Sequence, residues 1–133
     1  MSDNNNNHNR IGPASKALSA YMARDSLIDS VRMDRRWDEQ EFRELVEVSV
    51  RCLEEIADDS FVPRHVASFF GYRLYVLEGM IRHPDFIAVN RGQRTQEEAE
   101  RYFARRRDVL LTLTSWMSLG GHPYSPEQLE PGD

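Results

Sequence analysis

Three ionisable residues stand where helical periodicity otherwise places apolar side chains. Asp25 is in line with Leu18, Tyr21 and Ile28, Arg73 falls between Val66 and Leu77, and Arg106 is flanked by Tyr102, Val109 and Leu110. A charge buried without a partner is too costly to persist, so the three are expected to pair. The simplest such pairing is a structural ionic cluster of Asp25 with Arg73, Arg106 or both, with Ser49 as a further candidate member. Its chemical alternative is a pocket with surplus positive charge that accepts a small carboxylate or phosphate. Pairing inside the domain needs no ligand and is the expected outcome.

A second group faces outward. On a helical wheel Arg64, His65, Tyr72, Tyr75, Arg82 and His83 share one side, with Gly71 and Gly79 among them. Tyrosine and arginine are enriched in interface hot spots, and glycine allows close approach, so this face is the candidate partner-binding surface. Glu44, Glu47, Glu54, Glu55 and Asp58, diluted by Arg43 and Arg51, read as a solvated acidic face. Arg101, Arg105 and Arg107 are interleaved with Glu97, Glu98, Glu100 and Asp108, which is unlike a phosphate-binding stripe.

Metal and nucleophile chemistry find little support. His65 and His83 share a helical face but five turns separate them by roughly 27 Å, too far to hold one metal. Cys52, the single cysteine, sits on an apolar stripe and reads as a small hydrophobe. There is no Gly-x-Ser-x-Gly elbow, phosphate loop or dinucleotide fingerprint. The expectation is a protein without cofactor or metal that is not an enzyme.

The elements that must position these residues are helical. Residues 1–12 are asparagine-rich and read as a flexible arm, 13–119 as a helical domain, and 120–133, with Pro123, Pro126 and Pro131, as an irregular tail. Helix 1 is expected over about Ala14–Met33, with Asp25-Ser26 as a candidate point of division, since aspartate competes well for a cap position. Helix 2 starts after the N-cap Asp38, with Glu41 three residues on and a Trp37–Phe42 staple, and runs to about Asp58. Helix 3 spans about Pro63–Arg82, although Tyr72–Leu77 alone also fits a strand. Phe86, Ile87 and Val89 should anchor the connection to helix 4, which opens on a Thr95–Glu98 capping box and stops at Gly120-Gly121. The fold expected is an all-α antiparallel bundle of about four helices, with a flatter dimer as the alternative.

With 133 residues the chain suits one domain. Its net charge of −5, from 17 basic and 22 acidic residues, weighs against general nucleic-acid binding. No apolar run is long enough for a membrane span, and the polar N-terminus is unlike a signal peptide, so a cytoplasmic location is expected.

The segment from Ala104 to Thr114, and the spacing of Leu18, Tyr21 and Met22, resemble the closing and first helices of the Rubisco-assembly chaperones called RbcX. The resemblance covers about a fifth of the chain, and Trp37–Arg94 departs from that pattern. It implies a small all-helical homodimer that binds a client peptide, one example of a wider class. The leading expectation is a non-catalytic helical protein acting by protein–protein binding, as a regulator, adaptor, inhibitor, immunity protein or assembly chaperone, with a homodimer as one form. The alternatives are a nucleic-acid-associated subunit using Arg64, Arg82, Arg101 and Arg105, and a small-anion receptor at the Asp25, Arg73 and Arg106 cluster.

Overall fold

A computed structural model describes residues 12–24, 27–59, 61–119 and 125–132. Among these residues there are helices and no strand, as expected for an all-α chain. In order they are α1 (Pro13–Ala23), α2 (Leu27–Asp34), α3 (Glu39–Ile56), α4 (Arg64–Ser68), a π-helical turn (Phe69–Arg73), α5 (Leu74–Ile81), α6 (Pro84–Val89), α7 (Gln96–Leu119) and a 3-10 turn (Pro126–Leu129). Residues 1–11 of the N-terminal arm, Asp25-Ser26 and the Gly120-Gly121 stop lie outside the described residues.

Local signals fix the main helices. Asp38 accepts a hydrogen bond from the Glu41 N–H at 3.2 Å, and the Trp37 and Phe42 rings lie 5.1 Å apart. At α7 both halves of the capping box close: Glu98 N–H donates to Thr95 Oγ1 at 3.1 Å, and Thr95 N–H to Glu98 Oε1 at 2.8 Å. The first expected helix is divided, because Arg24 is extended after α1. The connection before α7 folds as α6, which buries Phe86 and Ile87 but leaves Val89 exposed.

The core runs along α7, which packs on α3, α5, α6 and the π-helical turn, while α1 packs on α3 and α2 on α5. An aromatic cluster joins these layers. Phe103 is fully buried with Trp37, Phe86 and Tyr102 around it, at 5.3, 5.4 and 5.0 Å between ring centroids. Edge-on rings at such distances add attraction beyond their buried area.

Glu55 departs from the solvated acidic face expected of it. Its carboxylate accepts from the N–H groups of Ala14 (2.8 Å) and Ser15 (3.0 Å) and from the Ser15 hydroxyl (2.9 Å). It therefore caps α1 from another helix, where the free N–H groups favour a negative charge. Burial raises the Glu55 carboxyl, but these hydrogen bonds outweigh it and hold it below the usual carboxylate value. Gly12 makes room for the arrangement, since a Cβ there would stand 2.4 Å from the Glu55 carboxyl carbon. Glu55→Ala is expected to cost about 1–2 kcal/mol. Glu47→Ala on the same helix should stay within about 0.5 kcal/mol, because its ion pair with Arg51 is exposed. Urea midpoints for the two variants check this. With its folded pKa lowered, Glu55 stabilises fully above the usual carboxylate range, and that contribution is lost as pH falls through the folded value.

Candidate functional site

Arg106 is 1 % exposed, and all five of its N–H donors are occupied. Nε donates to Glu39 Oε1 (3.2 Å). Nη2 reaches Glu39 Oε2 (2.8 Å) and the Gly132 carbonyl (2.7 Å), while Nη1 reaches the carbonyls of Tyr102 and Pro131, both at 3.2 Å. Its guanidinium carbon also lies 3.6 Å from the centre of the Tyr102 ring. The Tyr102 hydroxyl and Trp37 Nε1 both donate to Glu39 Oε1. Burial pushes the Glu39 carboxyl up, but the bonds from Arg106, Tyr102 and Trp37 prevail and hold it below its usual value. The Tyr102 phenol is raised, by burial first and then by its bond to Glu39.

For Arg106 this differs from the expected ionic cluster. The buried arginine was legible, but its carboxylate is Glu39, from the first turn of α3. Asp25 lies outside the described residues. Arg73 is half-buried in the π-helical turn and has no ion pair among the described residues. Ser49 is fully buried with its hydroxyl unpaired among the described residues, and joins no cluster there. Arg106 has no donor left for a small anion.

The same centre anchors the irregular tail where residues 125–132 are described. Ser125 and Gln128 close a capping box on the 3-10 turn, Leu129 packs on the core, Pro131 is buried, and Arg106 holds the carbonyls of Pro131 and Gly132.

The expected partner-binding face is split by the π-helical turn. Leu74 N–H bonds to the Phe69 carbonyl five residues back, a wider turn than the α-helical one. One extra residue rotates α4 by about 100° relative to α5. His65 consequently turns toward α1, where Nε2 lies 3.0 Å from the Ser15 carbonyl. Arg64 stays exposed at the far end of α4. Arg82 is ion-paired with the carboxylate of Glu78, which is buried on α5. Tyr72 is 67 % exposed one turn before Tyr75.

Tyr75 and His83 do come together, in a cleft of about 460 Å³ between α2, α5 and α6. Val31, Val76, Met80 and Phe86 supply its apolar surface, and Arg32, Arg35 and Asp85 complete its polar edge. Sequence reading missed Arg32 and Arg35, since neither carried a motif. His83 Nδ1 accepts from the Asp85 N–H at 3.3 Å and so caps α6. Arg35 has φ 53°, a left-handed conformation that disfavours a side chain, and it ends α2 with its N–H bonded to the Val31 carbonyl. Asn90 secures this corner by donating to the Arg35 carbonyl and accepting from the Trp37 N–H. Gly79 also lines the cleft, and a Cβ built there meets nothing within 4 Å. Mid-helix glycine costs about 0.5–1 kcal/mol relative to alanine, a cost no contact among the described residues explains.

Among the described residues no group of His, Cys, Asp and Glu is placed to hold a metal, and no helix is long and apolar enough to cross a membrane. Cys52 is fully buried beside Ser15, and burial raises its thiol, away from nucleophilic chemistry. Comparison with protein-family models, curated proteins and solved structures finds no match.

Proposed function

We propose that this chain is a small, non-catalytic helical protein that acts by binding another protein, at the cleft between α2, α5 and α6. The observation that carries the proposal is the cleft itself: an apolar floor with the half-exposed Tyr75, 52 % accessible, at its edge. An aromatic ring beside apolar surface and arginine is the composition of interface anchors. The side chains of Arg32 and His83 are 61 % and 65 % exposed, so the cleft is open along its rim. A small molecule would leave much of its surface in water there, whereas small-ligand sites bury most of it.

The other two readings have less support. Arg82 and Arg101 are ion-paired with Glu78 and Glu97, which weakens a continuous arginine surface for nucleic acid. A small-anion site at Arg106 would have to displace its present acceptors.

Placing a photo-crosslinking amino acid at position 75 of the full chain tests the proposal. In lysate of the source cells, it should yield one dominant protein adduct that is lost when Gly79 is also replaced by tryptophan. Adducts digested by nuclease, or protein adducts unchanged by Gly79→Trp, would refute it.

A further inference from the structure

We infer that the cleft receives a partner segment in which an apolar side chain is flanked by aspartate or glutamate. This rests on the protein-binding reading of the same site. Two features of the fold are explained by such an occupant and by no contact among the described residues.

The first is the charge of the rim. Arg32 is bonded to Asp29 at 3.2 Å, while the Asp85 carboxylate sits at the α6 end of the rim beside a His83 whose Nδ1 accepts a hydrogen bond. Arg35, at the α2 end of the rim, is exposed and has no carboxylate partner among the described residues, so this end of the cleft offers an unpaired guanidinium. It does so in a left-handed backbone position that glycine would occupy with less strain. An arginine held there fits a role for its guanidinium outside the fold, and a carboxylate is its natural acceptor. The chain as a whole carries −5, so attraction of an acidic segment has to be local to this rim.

The second is Gly79. It lies one turn after Tyr75 on the same face of α5, so the ring stands beside a position with no side chain. The slot is floored by Val76, Met80 and Phe86, a surface suited to an apolar side chain and poorly suited to phosphate. Methionine in the floor adapts to differently shaped side chains. The occupant's apolar residue would enter over Gly79, with its acidic neighbour reaching Arg35.

Selection from a displayed library of random peptides, with the full chain as bait, tests the inference. Enriched peptides should carry Leu, Ile, Met or Phe next to Asp or Glu. The best of them, made synthetically, should bind at least about ten-fold more weakly to Gly79→Trp and to Arg35→Glu. Arg35→Gly separates a binding role from a structural one: it should weaken the peptide yet raise the melting temperature by relieving the left-handed backbone. A lower melting temperature for Arg35→Gly with unchanged binding would overturn the role given to Arg35. Peptides that are apolar or basic, without acid but still lost in Gly79→Trp, would overturn the acid-flanked occupant while leaving the protein-binding reading intact. Absence of any peptide that distinguishes the native chain from Gly79→Trp would overturn both. Self-association of the native chain, abolished by Gly79→Trp, would make a second copy the occupant and overturn the inference.

Discussion

Replacing Glu39 by glutamine should lower the unfolding free energy by about 3–5 kcal/mol, because it strands the buried Arg106 charge. The loss is not symmetrical. Arg106→Met removes the charge from the dry side of the pair and fills much of its volume, while Glu39, whose side chain is 30 % exposed, can recover water. The arginine variant should therefore lose less than the glutamate variant. Combining them should cost less than the sum, since the charge that Glu39→Gln strands is no longer present. Chemical denaturation of the two single variants and the double variant measures the coupling. A Glu39→Gln loss below that of Arg106→Met would contradict the buried-charge account.

The same carboxylate gives the pair an acid limit. Glu39 has a folded pKa below its unfolded value, so the unfolded state binds the extra proton as pH falls. Its stabilisation is complete above the usual carboxylate range and disappears as pH drops through the folded value. Glu39→Gln should accordingly flatten the acid limb of the stability profile as well as lower it. Arg106→Met has a second readout, because its guanidinium holds the carbonyls of Pro131 and Gly132. Losing those two bonds should make the C-terminal segment more sensitive to protease than the helices are.

What the sequence discloses depends on how far apart the interacting residues are. The caps at Asp38 and Thr95–Glu98 act within one turn, so residue type and spacing were enough to place them. The same holds for the apolar stripes of α3 and α7. Glu55 caps a helix about 40 residues away, and nothing in its own helix distinguishes it from Glu54 or Glu47. Arg106 could be recognised as a charge in an apolar stripe, yet choosing Glu39 over Asp25 requires knowing which helices meet. The expected partner face is divided for a different reason. Helical wheels assume a constant turn, and the π-helical segment at Phe69–Arg73 breaks that assumption midway through the face. Tyr75 and His83 remain together because both come after the break, whereas His65 precedes it. The cleft they enter also needs α2 and α6, so Arg32 and Arg35 had no local signal.

Phe103→Ala is expected to cost about 3–5 kcal/mol, on the scale of Glu39→Gln but for a different reason. The ring is fully buried, and its removal leaves a cavity lined by Trp37, Phe86 and Tyr102, which are held from separate elements and cannot all close in. Leu18→Ala, also fully buried but on α1, is the matched control and should cost about 2–5 kcal/mol. The two variants should differ in what survives. Phe103 supports Phe86, and Phe86 is part of the cleft floor, so Phe103→Ala should also weaken binding at the cleft under conditions where the chain is still folded. Leu18→Ala should leave that binding unchanged, since α1 contributes no residue to the cleft. Near-ultraviolet circular dichroism provides an independent check, because the Trp37 ring loses an edge-on neighbour only in the Phe103 variant. Equal stability losses with equal effects on cleft binding would mean that the floor is not held by the aromatic cluster. The cleft would then owe its shape to the α2 corner fixed by Asn90 and to α5 alone.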